Sequence, residues 1–181
     1  METREIRLRP LMDADLPTVF QWRNTYGFRT YVMSYDDVVT YDQFLCQMNN
    51  TAPIRPYRFI VEHKQSEHPV GFIYCHSHSE IDRSCFLNVY IDEGSCGRGY
   101  GVSASAALIL YLLQNRYVHC VYFEVRSDNY RWLLTMRSFD IHEVNPPGDM
   151  PEAVIQQNAT HRFAVTQDDL ERVKEVLARF S

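Results

Sequence analysis

The sequence predicts an α+β fold, built on a mixed but mostly antiparallel central sheet of six to seven strands with helices on both faces. Six segments have the period-two alternation or the β-branched and aromatic content of strands. Five others have helical periodicity or helix-capping residues. No repeat or Pro/Gly-rich linker divides the 181 residues, which suffice for one hydrophobic core. We therefore expect residues 1–181 to form a single domain.

The first half of the chain reads as a strand, two short helices and a meander. "EIRLRPL" alternates with period two, and Asp13 or Asp15 can cap the helix that ends near "FQWRN". Thr40 and Gln43 have capping-box spacing at the start of "TYDQFLCQMNN", which predicts the second helix. "YRFIVEH", "VGFIYCHSH" and "SCFLNVYID" are strand candidates separated by turn residues. Together these three predict an antiparallel meander.

The second half alternates helices and strands. Residues 102–114 are almost wholly apolar and too short to span a membrane, which predicts a buried helix. "HCVYFEV" has the composition of a central strand, and "DNYRWLLTMRSF" has apolar residues at helical spacing. "THRFAVT" and the capped segment "TQDDLERVKEVLARF" predict a last strand and helix.

Charge and cysteine content exclude several classes of partner and site. The net charge is −5 and no basic cluster occurs, so we expect no nucleic-acid partner. The amino-terminal residues contain no apolar stretch, so we expect no membrane association and a cytoplasmic protein, monomeric or homodimeric. Five cysteines without a CxxC pair indicate reduced thiols rather than a zinc site. His76 and His78 share a strand face but lack a third ligand, so no metal is expected.

The segment "DEGSCGRGYGVS" carries the strongest local signal. It places Gly94, Gly97, Gly99 and Gly101 within eight positions, between a predicted strand and the buried helix. A glycine-rich turn of this kind lets backbone N–H groups approach a phosphate at a helix N-terminus. A tight turn that needs glycine only for its backbone angles remains the alternative.

Two common phosphate motifs do not fit this segment. A Walker loop requires Gly-Lys-Ser/Thr, whereas Gly99 is followed by Tyr100 and Gly101. A dinucleotide turn counted from Gly97 requires glycine or alanine where Val102 stands, and it belongs to the first strand of a doubly wound sheet. The residues therefore disfavour ATP, GTP and NAD.

"CGRGYG", residues 96–101, resembles the Gln/Arg-x-x-Gly-x-Gly/Ala pyrophosphate turn of the GNAT N-acetyltransferases, with Cys96 in the first place. About thirty residues later, "DNYRWLLTMRSFDI" is similar to that family's asparagine-containing helix, which ends at a Gly-Phe pair. Asp140 and Ile141 occupy the places of that pair, and aspartate enters the left-handed region more readily than most residues.

The resemblance implies a GNAT-like sheet that is splayed at its fourth and fifth strands and binds acetyl-CoA as co-substrate. Residues 87–141 would be the CoA-binding core. The strand backbone would bind the pantetheine arm, and the amides of the turn would bind the pyrophosphate. The helix that follows the next strand would make a further contact with the cofactor. The implied cofactor-binding residues are Val89, Tyr90, Ile91, Cys96, Gly97, Arg98, Gly99, Tyr100, Gly101, Val102 and Asn129.

Acetyl transfer requires a deprotonated amine, a donor to the developing oxyanion and a proton for the departing thiolate. Tyr90 and Asn88 lie on one strand face and are the candidate catalytic residues, acting through water; a solvated strand face is the alternative. Met136 stands where many family members have a tyrosine acid. Water can protonate a thiolate whose thiol pKa is about 8.5, so this loss is tolerable.

Residues 11–56 would form the helical acceptor-binding segment. "WRN", residues 22–24, resembles the end of the first helix in the branch that includes ribosomal-protein N-terminal and amino-sugar acetyltransferases. Trp22 would be an aromatic platform, Arg23 an anion contact and Asn24 a hydrogen-bonding amide or helix cap; core packing of Trp22 and solvation of Arg23 are the alternatives. Four tyrosines would line the cleft: Tyr26, Tyr31, Tyr35 and Tyr41.

The expected function is transfer of acetyl from acetyl-CoA to a primary amine by direct attack in a ternary complex. The acceptor would be a small molecule, such as an amino sugar, or a protein N-terminus. An acyl-CoA-binding or regulatory protein of the same fold, with impaired catalysis, is the alternative that Met136 and the unidentified base favour.

Overall fold

The computed structural model describes residues 1–33, 37–49, 57–144 and 160–180. The strands are β1 (Ile6–Pro10), β2 (Arg58–His63), β3 (His68–Ser79), β4 (Ser84–Ile91), β5 (Cys120–Arg126), β6 (His142–Val144) and β7 (Thr160–Thr166). The helices are α1 (Leu16–Arg23), the single turn α2 (Tyr26–Phe28), α3 (Tyr41–Asn49), α4 (Tyr100–Gln114), α5 (Tyr130–Ser138) and α6 (Leu170–Ala178).

The seven strands form one mixed sheet in the order β1-β2-β3-β4-β5-β7-β6. Every neighbouring pair is antiparallel except β4 and β5. That parallel pair is short, because it joins only Ser84–Cys120, Cys85–Val121 and Phe86–Tyr122. β4 continues to Ile91 without further pairing to β5. The α+β class and the splay between the fourth and fifth strands are therefore confirmed.

Each face of the sheet carries its own hydrophobic cluster, because successive side chains of a strand point to opposite faces. Leu87 of β4 belongs to the cluster that α4, α5 and α6 cover. Tyr90 belongs to the smaller cluster, which is packed with α1, α2 and α3. The two faces of β4 thus meet different layers of the molecule. None of the helices in the described ranges is long and apolar enough to cross a membrane.

Local sequence signals placed most element ends correctly. The capping box of α3 forms as expected, with Gln43 N 3.3 Å from Thr40 Oγ1 and Thr40 N 2.8 Å from Gln43 Oε1. Asp15 does not cap α1 through its side chain; its carboxylate binds the guanidinium of Arg9 at 2.7 Å. The same carboxylate also accepts a hydrogen bond from Met12 N at 2.9 Å, at the start of the helical turn Asp13–Asp15 that precedes α1.

Two further elements differ from the sequence-based prediction. β6 has only three residues, too few to show a period-two pattern, although it completes the upper count of seven strands. Residues Arg29–Met33 form a π-helical turn directly after α2, for which the sequence carries no turn or capping signal. Turns of this kind often lie at functional sites.

Candidate cofactor and acceptor site

The gap between β4 and β5 leaves one backbone edge of β4 unpaired. Val89, Tyr90 and Ile91 pair with β3 on one side, and none of the described strands pairs with them on the other. Backbone N–H and C=O groups need hydrogen-bond partners unless they stay in contact with water. The gap is therefore a place where an extended polar ligand can bind along β4.

The glycine turn begins directly beyond this edge. Asp92 accepts a hydrogen bond from Gly94 N at 3.2 Å, and a short helical turn follows at Glu93–Ser95. Gly97 and Gly99 then adopt left-handed φ angles of 83° and 81°. Gly99 is the N-cap of α4, and no side chain caps that helix. The first N–H groups of α4 therefore remain available to an anion.

The glycines differ in what surrounds them. A Cβ at position 97 would meet nothing within 4 Å, whereas a Cβ at position 99 would lie 2.4 Å from Phe180 Cε1. At position 101 it would meet Ile91 at 3.4 Å and Trp132 at 3.6 Å, which are ordinary contacts. Packing and the left-handed φ together explain the glycine at 99, while open space at 97 leaves room for a ligand.

The other residues of the turn contribute mainly backbone. The ring of Tyr100 is buried 6.0 Å from the ring of His63, so it points into the core. Arg98 is exposed, and Val102 lines a small apolar cavity beside Met136. Cys96 Sγ lies 3.5 Å from Ile91 O, and burial raises the pKa of the thiol. This cysteine is therefore a neutral side chain at physiological pH.

Asn129 begins the helix that follows β5. Its side chain caps α5 by accepting from Trp132 N at 3.4 Å. Met136 is only 4% exposed and lies in the same apolar cavity as Phe123 and Trp132. Its thioether can neither donate nor accept a proton in this pH range. The helix therefore supplies packing and a cap, and position 136 supplies no acid.

Tyr90 lies in the smaller cluster. It is 6% exposed, and its ring centroid is 5.1 Å from that of Phe28 and 5.9 Å from that of Trp22. Its phenolic oxygen is 3.2 Å from Thr25 Oγ1. Burial raises the pKa of Tyr90 against the opposing effect of the Thr25 hydrogen bond. The phenol is therefore neutral across the physiological range.

Asn88 lies two residues beyond the last β4–β5 pair. Its Nδ2 donates to Val32 O at 3.3 Å and to Tyr74 Oη at 3.1 Å. Burial raises the pKa of Tyr74, although the Asn88 hydrogen bond opposes this. Tyr74 was not anticipated; its position opposite Asn88 in the β3–β4 register is the signal that would have revealed it. The amide and phenol form a polar pair where the gap opens.

The three residues of "WRN" lie in three different environments. Trp22 is 7% exposed and packs within the smaller cluster. Asn24 binds the backbone of Val39 twice, with both bonds 2.9 Å long. Arg23 is 3% exposed and lines a cavity of about 710 Å³. Of these three residues, Arg23 is the one that lines this cavity.

The predicted tyrosine cleft is described only in part. Tyr26, Tyr31 and Tyr41 are exposed, and Tyr41 packs edge-on against Phe20 with ring centroids 5.1 Å apart. Tyr35, together with positions 34–36 and 50–56 of the predicted acceptor segment, lies outside the described residues. The described tyrosines therefore stand on the outer side of the α1–α3 layer.

Other titratable groups do not assemble into a second centre. His76 stacks on Phe86 with ring centroids 5.6 Å apart, and burial lowers its pKa. In the described parts of the chain, no three His, Cys, Asp or Glu residues are grouped so that they could hold a metal ion. All five cysteines are free thiols.

A family model for the acetyltransferase (GNAT) domain matches residues 5–139, which is most of the chain. The chain belongs to the GNAT acetyltransferase family. None of the curated proteins compared with the sequence matches it significantly.

Solved structures share this GNAT fold. A spermidine N-acetyltransferase of Vibrio cholerae in complex with CoA and spermine matches with a TM-score of 0.76 and 16% identity, over 92% of this chain and 98% of that chain. A GNAT acetyltransferase from Bacillus anthracis matches with a TM-score of 0.73 and 14% identity, over 93% and 98%. A domain from Methanocaldococcus jannaschii DSM 2661 matches with 0.71 and 13%, over 90% and 98%. At such identities the likeness concerns the fold.

One expected departure from the GNAT pattern is resolved by backbone geometry. Asp140 stands where the family has glycine, and its φ of 51° lies in the left-handed region. Its carbonyl oxygen and carboxylate both contact Arg172, at 2.7 Å and 3.3 Å. An aspartate therefore follows α5 in the left-handed conformation that glycine adopts most readily.

Proposed function

We propose that this GNAT protein is an N-acetyltransferase that moves acetyl from acetyl-CoA to a primary amine by direct attack in a ternary complex. The observation that carries the proposal is the succession of an unpaired β4 edge, a glycine turn and an uncapped α4. This succession offers donors first to an amide-containing arm and then to phosphates. One of the similar structures contains CoA.

The cofactor assignment follows that succession. Backbone groups of Val89–Ile91 bind the pantetheine arm, and turn amides from residues 96–102 bind the pyrophosphate, with Arg98 adding a positive charge. Asn129, whose Oδ1 caps α5, contacts the cofactor through its remaining amide donors. Residues 87–141 thus form the CoA-binding core, and the reaction uses no metal.

In the reaction, the acceptor amine attacks the thioester carbonyl while a backbone amide near Tyr90 donates to the developing oxyanion. Asn88 and Tyr90 position the acceptor and a water that takes its proton. Neither side chain is itself the base, because an amide does not titrate and burial raises the pKa of Tyr90. The thiolate leaves and is protonated by water, since Met136 cannot act as an acid.

The acceptor is a small amine, such as an amino sugar, or a protein N-terminus. Trp22, Arg23 and Asn24 shape its site within the segment 11–56; Trp22 and Asn24 act by holding the layer in place, and Arg23 acts by charge. The single domain works as a monomer or homodimer in the cytoplasm, where its five thiols remain reduced.

A screen of acceptor amines that measures free CoA release tests this function. Release above the no-acceptor background with at least one amine supports transfer. A second candidate, an acyl-CoA-binding protein that has lost catalysis, is favoured by the buried Met136 and the neutral Tyr90. Tight acetyl-CoA binding without release for any amine would establish that candidate instead.

A further inference from the structure

Arg23 is a buried cation that forms no ion pair among the residues that the structure describes, although Asp37 is near enough to interact with it electrostatically. Its residue is 3% exposed, and its one hydrogen bond is a long contact of 3.4 Å from Nη1 to Asp37 O. Its Nε is buried and has no partner in the part of the chain that the structure describes. A guanidinium is not deprotonated in proteins, so burial without pairing is strongly unfavourable.

The surroundings of Arg23 add positive charge. Burial lowers the pKa of Arg23 and the neighbouring Arg29 lowers it further, while Tyr74 and Asp37 have the opposite effect. Both Arg23 and Arg58 act on Tyr74 to lower its pKa against burial. Arg23 and Arg58 therefore both lie near the Tyr74 phenol, and Arg29 lies near Arg23, in a chain whose net charge is −5. A local field of this sign attracts anions.

Arg23 faces the cavity of about 710 Å³ between the end of α1, residues 37–39 and α3. The same cavity is lined by Asp37, Asp42, Gln43 and Gln47, which can bind ammonium and hydroxyl groups. Arg23 also interacts electrostatically with Tyr74, whose hydroxyl accepts a hydrogen bond from the Asn88 amide at 3.1 Å where the β4–β5 gap opens. Arg23 thus links this cavity to the predicted reaction centre.

We propose that Arg23 binds an anionic group of the acceptor, so that the acceptor is a primary amine whose body carries a carboxylate or phosphate. This rests on the proposed acetyl transfer. The anion pairs with the buried guanidinium, and charge-assisted hydrogen bonds of this kind are about twice as strong as neutral ones. Asp37 and Asp42 supply the opposite charge near the remainder of the acceptor.

Matched acceptor pairs test the proposal. Glucosamine 6-phosphate is compared with glucosamine, and 4-aminobutyrate with butylamine, with spermidine as the polycation. We expect kcat/KM to favour the anionic member of at least one pair roughly 10- to 100-fold, the factor that a charged hydrogen bond provides. The two pairs distinguish phosphate from carboxylate. Preference for spermidine or for both neutral amines would overturn the proposal.

Variants assign the preference to Arg23. Arg23→Gln should abolish the anionic preference and Arg23→Lys should keep part of it, while the exposed Arg4→Gln should leave it unchanged. Because Arg23 is buried, each variant is first compared with wild type by thermal unfolding. If Arg23→Gln does not fold, the test compares wild type with Arg23→Lys, using the ratio of kcat/KM for the anionic member of each pair to that for the neutral member.

Calorimetric binding of the same pairs in the presence of CoA separates this proposal from the proposed function. Absence of turnover together with a binding preference for the anionic member that Arg23→Gln removes would refute acetyl transfer and retain the anion site. Equal binding of both members, or no binding of either, would refute the anion site whatever the turnover.

Discussion

Thr25 Oγ1 and Tyr90 Oη lie 3.2 Å apart and join the α1–α2 junction to the strand that borders the gap. Thr25 also receives Phe28 N at 3.3 Å and so caps the turn α2. One hydroxyl therefore connects the predicted acceptor segment to the predicted cofactor strand. Substitutions at Thr25 and Tyr90 can therefore distinguish three possible roles of Tyr90, namely ring packing, hydrogen bonding and proton transfer.

Tyr90→Phe keeps the ring and removes that link. We expect unfolding to become easier by about 1 kcal/mol, measured by urea denaturation. The pH dependence of turnover between pH 6 and 9 should be unchanged, because the phenol is already neutral there. Thr25→Val should cost more stability than Tyr90→Phe, because it also removes the cap on α2 and the bond to Trp22 O, and the double variant should lose no more than Thr25→Val alone. A basic limb that disappears in Tyr90→Phe would instead assign the proton transfer to this phenol.

Cofactor choice can be read from thermal stability. Acetyl-CoA and CoA at about one hundred times their Kd should each stabilise the protein by about 2.7 kcal/mol, which raises the Tm by several degrees for a chain of this size. NAD and ATP should leave the Tm unchanged, because the turn lacks both of their motifs. A rise with NAD alone would contradict the cofactor assignment.

The glycine turn offers a graded set of substitutions. Gly97→Val should weaken CoA binding at least tenfold, because it places a side chain in open space where turn amides meet phosphate. Cys96→Ala should leave binding nearly intact. Calorimetry with CoA provides the comparison, and the opposite ranking would move the phosphate site away from this turn.

Gly99 needs a different design, because a Cβ there clashes with Phe180. Gly99→Ala alone should destabilise the fold as well as binding. Adding Phe180→Ala should relieve the clash and restore part of the Tm without restoring CoA affinity, because the left-handed strain and the crowded turn remain. Recovery of affinity together with the Tm would show that position 99 serves packing only.

Substitutions at Met136 test whether the reaction needs a general acid to protonate the departing CoA thiolate. Met136→Leu preserves volume and should cost less than about 1.5 kcal/mol of stability, with no change in the pH profile of turnover, since neither side chain titrates. Met136→Tyr should not raise kcat substantially if water protonates the thiolate. A large gain in kcat for Met136→Tyr, with a new titration on the basic side, would show that thiolate protonation limits the reaction.

Glu62 should make the free energy of unfolding depend on pH in the acid range. Burial alone would raise its pKa, but hydrogen bonds from Arg9 at 2.6 Å and Arg7 at 2.7 Å outweigh this, and the pKa is lowered. A lowered folded-state pKa contributes stability that is present above the unfolded value of about 4.3 and is lost as pH falls through the folded value.

Glu62→Gln should therefore reduce the free energy of unfolding at pH 7 by about 1.5–3 kcal/mol, and the difference from wild type should shrink below about pH 4. Urea denaturation between pH 3 and 7 measures both effects. Glu67→Gln is the matched control, because that carboxylate is exposed and lies 3.6 Å from Arg7. A pH-independent difference would show that Glu62 acts through packing alone.

Periodic and capping signals predicted the elements that depend on local chemistry. The meander strands, the Thr40–Gln43 box and the apolar α4 follow from patterns within a few residues. β6 escaped prediction because three residues in an edge position carry no period. The splay was predicted only through the family resemblance, since parallel pairing depends on residues about 35 positions apart.

In the candidate site, too, local features were predicted from the sequence and features that depend on tertiary packing were not. The glycine turn could be predicted because positive φ angles favour glycine, so the residue type itself indicates the turn. The Tyr74–Asn88 pair and the burial of Arg23 were not, because both depend on which strand and helix lie opposite. The alternative in which Arg23 is solvated is wrong for this reason, because tertiary packing, not the local sequence, sets its exposure.

The three-pair contact between β4 and β5 has a consequence for the sheet as a whole. Beyond Phe86, no backbone hydrogen bonds join the two halves of the described sheet, β1–β4 and β5–β7–β6. A ligand arm lying along β4 would supply those bonds and would behave as an inserted strand. The loaded protein would then be a continuous sheet and the empty one a divided sheet, so that the cofactor would be an architectural member of the fold as well as its reagent.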